Sequence, residues 1–171
     1  FGLNLKGNYF NAKLIMEKKF KGLSGLRFGT EYNYSKDQQE YKAFNGQLYP
    51  GSLNESITAV FAESDVYATN DLAVKGGLRL EHSRLLDKVN LAPRFSLAYK
   101  LSKGSQASFA YGIFYQNPER RYLPSPNALS FMKATHYILQ FQKVLNKQSL
   151  RAELFYKKYH NLVKTDLVGF T

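Results

Sequence analysis

The chain has 171 residues, 15% of them aromatic, no cysteine and a formal net charge of +11. The lack of cysteine excludes disulfides and thiolate metal sites, and no apolar run reaches the ~18–20 residues of a transmembrane helix. Basic residues alternate with apolar ones instead of clustering, so the charge does not predict nucleic-acid binding. The chain begins at Phe1 without a signal-like segment, and we expect a piece of a longer protein or a trimmed chain.

Alternation of apolar and polar residues with a period of two predicts eight strands. In chain order they span residues 8–20, 26–34, 56–69, 72–86, 92–101, 107–116, 136–145 and 150–160. The pattern is clearest in the fourth strand, where Leu78 and Leu80 alternate with Arg79 and Glu81. Each strand therefore presents one apolar, aromatic side and one charged side.

The connections between these strands predict the topology. Short connections near Gly22, Asn70, Gly104 and Lys147 alternate with longer ones at 35–54, 86–91 and 117–133. A meander that crosses a layer repeatedly places its short turns at one end and its long loops at the other. The sequence therefore predicts an all-β fold, an antiparallel up-and-down meander of about eight strands that forms a segment of a transmembrane β-barrel.

Three architectures are compatible with this alternation. A soluble lipocalin-like barrel would turn the apolar side inward around an apolar ligand that it carries. A small, complete outer-membrane barrel with a structural role would turn the apolar side to lipid and the charges into a narrow interior. A segment of a wider barrel would place the same charges on a wet or plugged lumen.

The charged side favours the wide barrel over the small complete one. It carries four acidic residues and nine basic ones: Glu17, Glu31, Glu81 and Glu153 against Lys13, Lys19, Arg27, Lys75, Arg79, Arg94, Lys100, Arg151 and Lys157. A narrow, dry interior would leave several of these cations unpaired, at several kcal/mol each. Aromatic residues near most strand ends favour a membrane barrel over a soluble carrier.

Three ordered segments carry a family resemblance. Residues 77–82 are GLRLEH, residues 91–100 are LAPRFSLAYK and residues 108–118 are SFAYGIFYQNP. This series resembles the barrel of TonB-dependent outer-membrane receptors, especially the Bacteroidota group. Residues 59–62 (AVFA) and 149–156 (SLRAELFY) are similar to that family's flanking strands, so the resemblance covers roughly 25–163.

The resemblance implies a function that periodicity does not. Such a receptor is a barrel of about 22 strands closed by a plug, and residues 1–171 would supply part of that barrel domain without the plug. It would lie in the outer membrane of a Gram-negative cell and take up a nutrient such as a siderophore or a glycan. Its partners would be outer-membrane lipid and lipopolysaccharide, the remaining barrel strands and the plug, and TonB through that plug.

Candidate site residues fall into two groups. We expect the charged side to face the lumen, through Arg27, Glu31, Lys75, Arg79, Glu81, Arg94, Lys100, Arg151 and Glu153. We expect Arg120, Arg121 and Tyr122, in the long polar segment 117–133, to pair and stack with an anionic or sugar-like ligand.

No catalytic, cofactor-binding or metal site is predicted. His82, His136 and His160 are widely separated and lack the paired spacing of metal ligands. Glu81 and Asp87 form no recognisable acid–base pair, and no nucleophile motif accompanies them, so the sequence does not predict an enzyme.

Overall fold

The computed structural model describes residues 2–20, 24–118, 130–145 and 148–163. They form a single eight-stranded sheet in which every strand pairs antiparallel with its neighbour in sequence. The strands are β1 (Gly2–Lys19), β2 (Gly25–Lys42), β3 (Leu48–Tyr67), β4 (Leu72–Ser83), β5 (Lys88–Ser102), β6 (Ser105–Gln116), β7 (Met132–Leu145) and β8 (Gln148–His160). All eight predicted strands and the up-and-down meander are confirmed. Within the described ranges, no helix has the length and apolarity to cross a membrane.

The β2–β3 hairpin is longer than the sequence predicts. The prediction of a long polar loop over 35–54 is wrong, because the paired strands continue through it to the pair Lys42↔Leu48. Only residues 43–47 remain outside the two strands, and the amide of Gly46 donates to the carbonyl of Ala43 there. The outer part of this hairpin is polar on both faces, so no apolar row marks it as a strand in the sequence.

The short turns are stabilised locally. The hydroxyl oxygen of Thr69 accepts hydrogen bonds from the amides of Asp71 and Leu72, at 3.2 and 3.0 Å. Between β5 and β6, Gly104 has a φ of +82°, the left-handed region that glycine adopts without strain. These turns connect β3 to β4 and β5 to β6 within residues 68–71 and 103–104.

Register divides the side chains into two faces, because directly paired residues of antiparallel strands point to the same side. One row of partners is Glu31, Ala59, Glu81 and Asn90, and we call the side that carries it the charged face. The opposite side, which we call the apolar face, carries another row of partners. This row is Leu14, Thr30, Val60, Leu80 and Leu91 on β1 to β5.

Burial differs between the faces. On the charged face, Ala59, Ser83, Asn90 and Ala92 are 0–6% exposed, although no second layer covers this face within the described chain. Leu86 of the β4–β5 turn and Asn117 contact Ser83. For the other three, cover by neighbouring side chains on the same face is what the inner side of a curved sheet provides, because side chains converge there. We infer that the sheet curves toward the charged face.

The apolar face is open to its surroundings. Sixteen of its large side chains are 37–72% exposed, and others such as Leu97 and Phe109 are half-buried. The sixteen are Phe10, Leu14, Met16, Phe28, Tyr32, Val60, Leu78, Leu80, Leu91, Phe95, Tyr99, Leu101, Tyr137, Leu139, Leu154 and Tyr156. A small apolar cluster, in which Leu86 and Phe131 are buried, lies instead at the end of the sheet beside the β4–β5 turn.

The sheet is not closed. The hydrogen-bonded order runs from β1 to β8, and no pairing joins β8 back to β1 among the residues with described positions. The outer edges of β1 and β8 therefore present backbone groups that no other strand of the described chain pairs.

Candidate functional site on the charged face

The structure places all nine residues predicted to face the lumen on the charged face. Register aligns Arg27 with Glu63, Gly77 and Arg94 across β2 to β5. The other seven follow at steps of two residues or through further partners on this face: Glu31, Lys75, Arg79, Glu81, Lys100, Arg151 and Glu153. They share a face, and their exposure to a lumen stays a prediction.

The centre of the face is a charge network around Arg79. Its guanidinium donates from Nε to Glu81 Oε1 at 2.6 Å and from Nη1 to Glu31 Oε2 at 3.1 Å. Lys13 Nζ lies 3.7 Å from Glu31, and Asn90 Nδ2 donates to Glu81 Oε2 at 3.3 Å. The side chains of Arg79 and both glutamates are only about a fifth exposed, so each charge depends on the others for stabilisation.

The charged face is better balanced than the sequence predicts. Glu63 and Asp65 also lie on it and contact Lys75 Nζ at 3.9 and 3.4 Å. The blurred alternation of β3, in which both acids share a side with Phe61, excludes them from the sequence count. The sequence count of nine cations against four anions therefore overstates the positive charge of this face. The argument against a narrow barrel interior, which rests on that count, is correspondingly weaker.

Further ion pairs join neighbouring positions of this face. Their N–O distances are 3.9 Å for Arg27–Glu17, 3.8 Å for Lys100–Asp71 and 2.9 Å for Arg151–Glu153. All six of these side chains are more than a third exposed, so each pair contributes little to stability. These pairs balance charge along the face without fixing the fold.

Two features of the charged face escape sequence reasoning. The ring of Phe61 lies over Gly29, where an added Cβ would be 2.9 Å from the ring, and the ring of Phe114 covers Gly112 at the same distance. The sequence signal for both contacts is a glycine in a strand with an aromatic residue at a neighbouring position of the same face. Farther along, Asn117 Nδ2 donates to Glu55 Oε1 and to Ser83 Oγ, a contact between distant segments that alternation does not predict.

The predicted ligand-contacting residues Arg120, Arg121 and Tyr122 lie outside the described residues. They belong to the segment 117–131 between β6 and β7. β6 ends and β7 begins at the same end of the sheet as the β2–β3 and β4–β5 turns. Their contact with a ligand stays a prediction.

The comparison with family models decides the class of the protein. The model described as "TonB dependent receptor-like, beta-barrel" matches residues 1–171. The chain belongs to the TonB-dependent receptor β-barrel family. The predicted family is confirmed, which sets the chain among receptors and not among enzymes, whereas the Bacteroidota group stays a prediction.

Solved structures show the same fold. A ferric enterobactin receptor of Pseudomonas aeruginosa superposes with a TM-score of 0.74 at 13% identity, over 92% of this chain and 27% of that one. A siderophore receptor of Acinetobacter baumannii gives 0.73 at 15% identity, over 98% and 29%. An outer membrane transporter of Escherichia coli gives 0.70 at 17% identity, over 92% and 26%. The chain thus spans between a quarter and a third of these structures, and no curated protein matches it.

Proposed function

We propose that residues 1–171 form part of the barrel wall of an outer-membrane TonB-dependent transporter. The observation that carries the proposal is that one open sheet has an apolar face with many exposed large side chains and an opposite face that carries the ion pairs. Lipid solvates the first, and a wet or plugged lumen solvates the second. A soluble carrier would need the opposite arrangement, with the apolar side chains converging around the ligand.

The open sheet edges support a larger barrel. Unpaired backbone groups in lipid are destabilised by several kcal/mol each, so β1 and β8 require partner strands in a membrane. The remaining strands of the parent receptor would supply them, and its plug would occupy the lumen beside the charged face. TonB would act through that plug to drive uptake.

An aromatic row crosses the middle of the apolar face. Phe95, Tyr111, Tyr137 and Tyr156 align across β5 to β8, and the tyrosine rings are 5.2 and 6.0 Å apart. These positions lie near the middle of strands β5 to β8, so the row adds apolar ring area to the face and does not mark a membrane interface. Outer-membrane lipid and lipopolysaccharide would therefore surround this face.

Single-cysteine labelling tests which face meets lipid. Residues 1–171 contain no cysteine, so each introduced thiol is unique within them. The test positions are Tyr99 and Leu139 on the apolar face. Their matched controls are the next residues in sequence, Lys100 and Gln140, which lie on the charged face. Tyr99 is 47% exposed and the Lys100 side chain 57%, so unequal protection reports the surroundings and not burial by the protein.

The expected result is a clear division between the two faces. Fluorescent labels at Tyr99 and Leu139 should be quenched by nitroxide lipids, and labels at Lys100 and Gln140 by a water-soluble quencher. The reverse pattern, or equal access to both quenchers, would overturn the membrane orientation.

The substrate class is a proposal on weaker support. One structural neighbour is named a ferric enterobactin receptor and another a siderophore receptor, which favours a ferric siderophore over a glycan. Uptake of radiolabelled ferric siderophore by cells with and without TonB tests this assignment, with a labelled oligosaccharide as the second substrate. Uptake of the oligosaccharide alone would reassign the substrate, and uptake that persists without TonB would contradict the mechanism.

We further propose that Arg120, Arg121 and Tyr122 contact the ligand at the outer rim. Replacing both arginines with alanine should weaken ligand capture by about tenfold or more, because hydrogen bonds to charged groups contribute ~1.5–3 kcal/mol each. The matched control is Lys103→Ala in the β5–β6 turn, at the opposite end of the sheet. Unchanged affinity in the double variant would refute the assignment.

A further inference from the structure

The charge on the apolar face is almost entirely basic. Within the eight strands its single acid is Glu40, and every other aspartate and glutamate of the strands lies on the charged face. The lysines of the apolar face are Lys6, Lys18, Lys36, Lys42, Lys133, Lys143 and Lys158. All but Lys18 and Lys143 lie toward the end of the sheet that carries the β2–β3 and β4–β5 turns, which we call the outer end. This bias attracts anions to the outer end of the apolar face.

Two of these lysines and a histidine are close neighbours on β7 and β8. Lys133 pairs with His160, and Lys158 pairs with Thr135 at the next position of the same face. Directly opposite residues are ~5 Å apart and same-face neighbours along a strand ~7 Å apart, so one phosphate group can reach all three basic side chains. We call Lys133, Lys158 and His160 the basic cluster.

The basic cluster lacks acidic partners within the described chain. None of the ion pairs between described residues includes Lys133 or Lys158. Lys158 and His160 are exposed, and Lys133 is half-buried. The two ammonium groups can therefore bind an anion that approaches from outside the sheet.

The cluster lies at the edge of the apolar surface, and this edge runs obliquely across the strands. On β5 the apolar positions continue from Phe95 to Val89 at the outer end, whereas on β7 and β8 they stop at Tyr137 and Tyr156, in the same row as Phe95. Strands tilted by about 40° displace a membrane boundary by roughly one residue per strand. Lys158 then lies roughly 5 Å beyond the apolar edge, and the Lys133–His160 pair roughly 10 Å beyond it, at the depth of lipid headgroups.

An exposed apolar track continues from the cluster toward the inner end of the sheet. The rings of Tyr137 and Tyr156 are 6.0 Å apart, and the next pair on this face is Leu139↔Leu154. These leucines are 52% and 72% exposed. Basic groups beyond an apolar track match a lipid that has an anionic headgroup and acyl chains.

We propose that the basic cluster binds a phosphate group of lipopolysaccharide in the outer leaflet. The ammonium groups of Lys133 and Lys158 and the imidazole of His160 donate hydrogen bonds to the phosphate oxygens, and an acyl chain of the same lipid lies along Leu139 and Leu154. The adjoining apolar track favours a lipid phosphate over a free one. The inference rests on the membrane orientation proposed above and adds to it a defined lipid-binding site.

Binding of a matched pair of lipids tests the site. The complete receptor, purified in detergent, is titrated with bisphosphorylated lipid A and with lipid A that has the same acyl chains but no phosphate, and native mass spectrometry gives the Kd of the first bound lipid. The native protein should bind the phosphorylated lipid about twentyfold more tightly, because each lysine beside an anionic lipid surface contributes about fivefold. Inorganic phosphate at millimolar concentration should not displace the lipid, and phosphatidylglycerol should bind more weakly than phosphorylated lipid A.

Two double variants localise the effect. Lys133→Gln with Lys158→Gln should reduce the preference for the phosphorylated lipid to about twofold or less. The matched control, Lys18→Gln with Lys143→Gln, removes the same charge from the inner end of the same face and should keep the preference. Heat-modifiable electrophoretic mobility establishes that each variant is folded.

The outcomes separate this site from the proposed function. If the label at Tyr99 is quenched from lipid but the native protein does not prefer the phosphorylated lipid, or the control variant loses the preference equally, the site is refuted and the orientation stands. Displacement by inorganic phosphate, or equal binding of phosphatidylglycerol, would refute lipopolysaccharide as the occupant. A Tyr99 label quenched from water would overturn the orientation and the site together.

Discussion

Gly29 offers a direct test of how tightly the β1–β3 part of the sheet is packed. A Cβ at this position would lie 2.1 Å from the backbone oxygen of Leu14 and 2.9 Å from Phe61 Cζ. Restoring even 3.0 Å to that oxygen requires a shift of about 0.9 Å, and the oxygen belongs to a paired strand that cannot rotate away. Overpacking of this kind is destabilising by ~1–3 kcal/mol. We expect Gly29→Ala to lower the free energy of unfolding by about 2–3 kcal/mol, at the upper end because the contact is with backbone.

The control is Gly76→Ala on β4, another strand glycine, where an added Cβ meets nothing within 4 Å. That change should be neutral or stabilising by up to about 1 kcal/mol, since it only restricts the unfolded chain. Urea unfolding of the detergent-solubilised protein, followed by tyrosine fluorescence, gives both values. Equal effects of the two substitutions, or a neutral Gly29→Ala, would refute the close approach of β1 to β2 at this point.

Three further predictions concern stability and use the same unfolding assay. Arg79→Gln should be destabilising by about 2 kcal/mol, because it leaves the Glu31 carboxylate without its guanidinium partner. Adding Glu31→Gln to this variant should recover part of the lost stability. Strictly additive effects of the two substitutions would show that the pair is not coupled. Gly104→Ala should be more destabilising than Gly46→Ala by about 1–3 kcal/mol. Both glycines have a φ of +82°, but only at Gly104 would an added Cβ lie 2.4 Å from a backbone oxygen. Equal losses of unfolding free energy would argue against that contact. Thr69→Val should be destabilising by about 1 kcal/mol and Thr69→Ser by less, because serine retains the hydroxyl that accepts two amide hydrogen bonds; identical effects would exclude the hydroxyl as the cause.

The strands that separate two different environments were predictable from sequence. In β4, the alternation of Leu78 and Leu80 with Arg79 and Glu81 is present because one side of the strand contacts ions and the other contacts apolar surroundings. The outer half of the β2–β3 hairpin lacks this difference, since residues such as Gln38 and Gln39 are exposed on both faces. Backbone hydrogen bonds hold those residues in strands, and backbone hydrogen bonds leave no periodic trace in side-chain type.

The charged face was predictable as a set of residues but not as a network. Parity alone assigns Arg27 and Arg94 to one side, and register confirms that assignment. The partner of each charge depends on register across strands, which sequence does not specify. Arg79 therefore pairs with Glu31, 48 positions away in the chain, whereas Arg94 Cζ lies 5.0 Å from the centroid of the Phe114 ring and has no such acid beside it in the described structure.

The unequal strand lengths have a consequence for the entrance of the proposed barrel. At ~3.3 Å per residue, the 20 residues of β3 extend over about 66 Å and the 12 residues of β4 over about 40 Å. With strands tilted by about 40°, these lengths correspond to heights of roughly 50 and 30 Å, whereas the apolar band of an outer-membrane barrel is ~25 Å tall. In the proposed orientation, the β2–β3 hairpin extends about 20 Å farther from the membrane than the neighbouring strand β4. On this part of the wall the rim is then uneven, and in the proposed orientation a solute that approaches along the cell surface meets a higher edge at β2–β3 than at β4–β5.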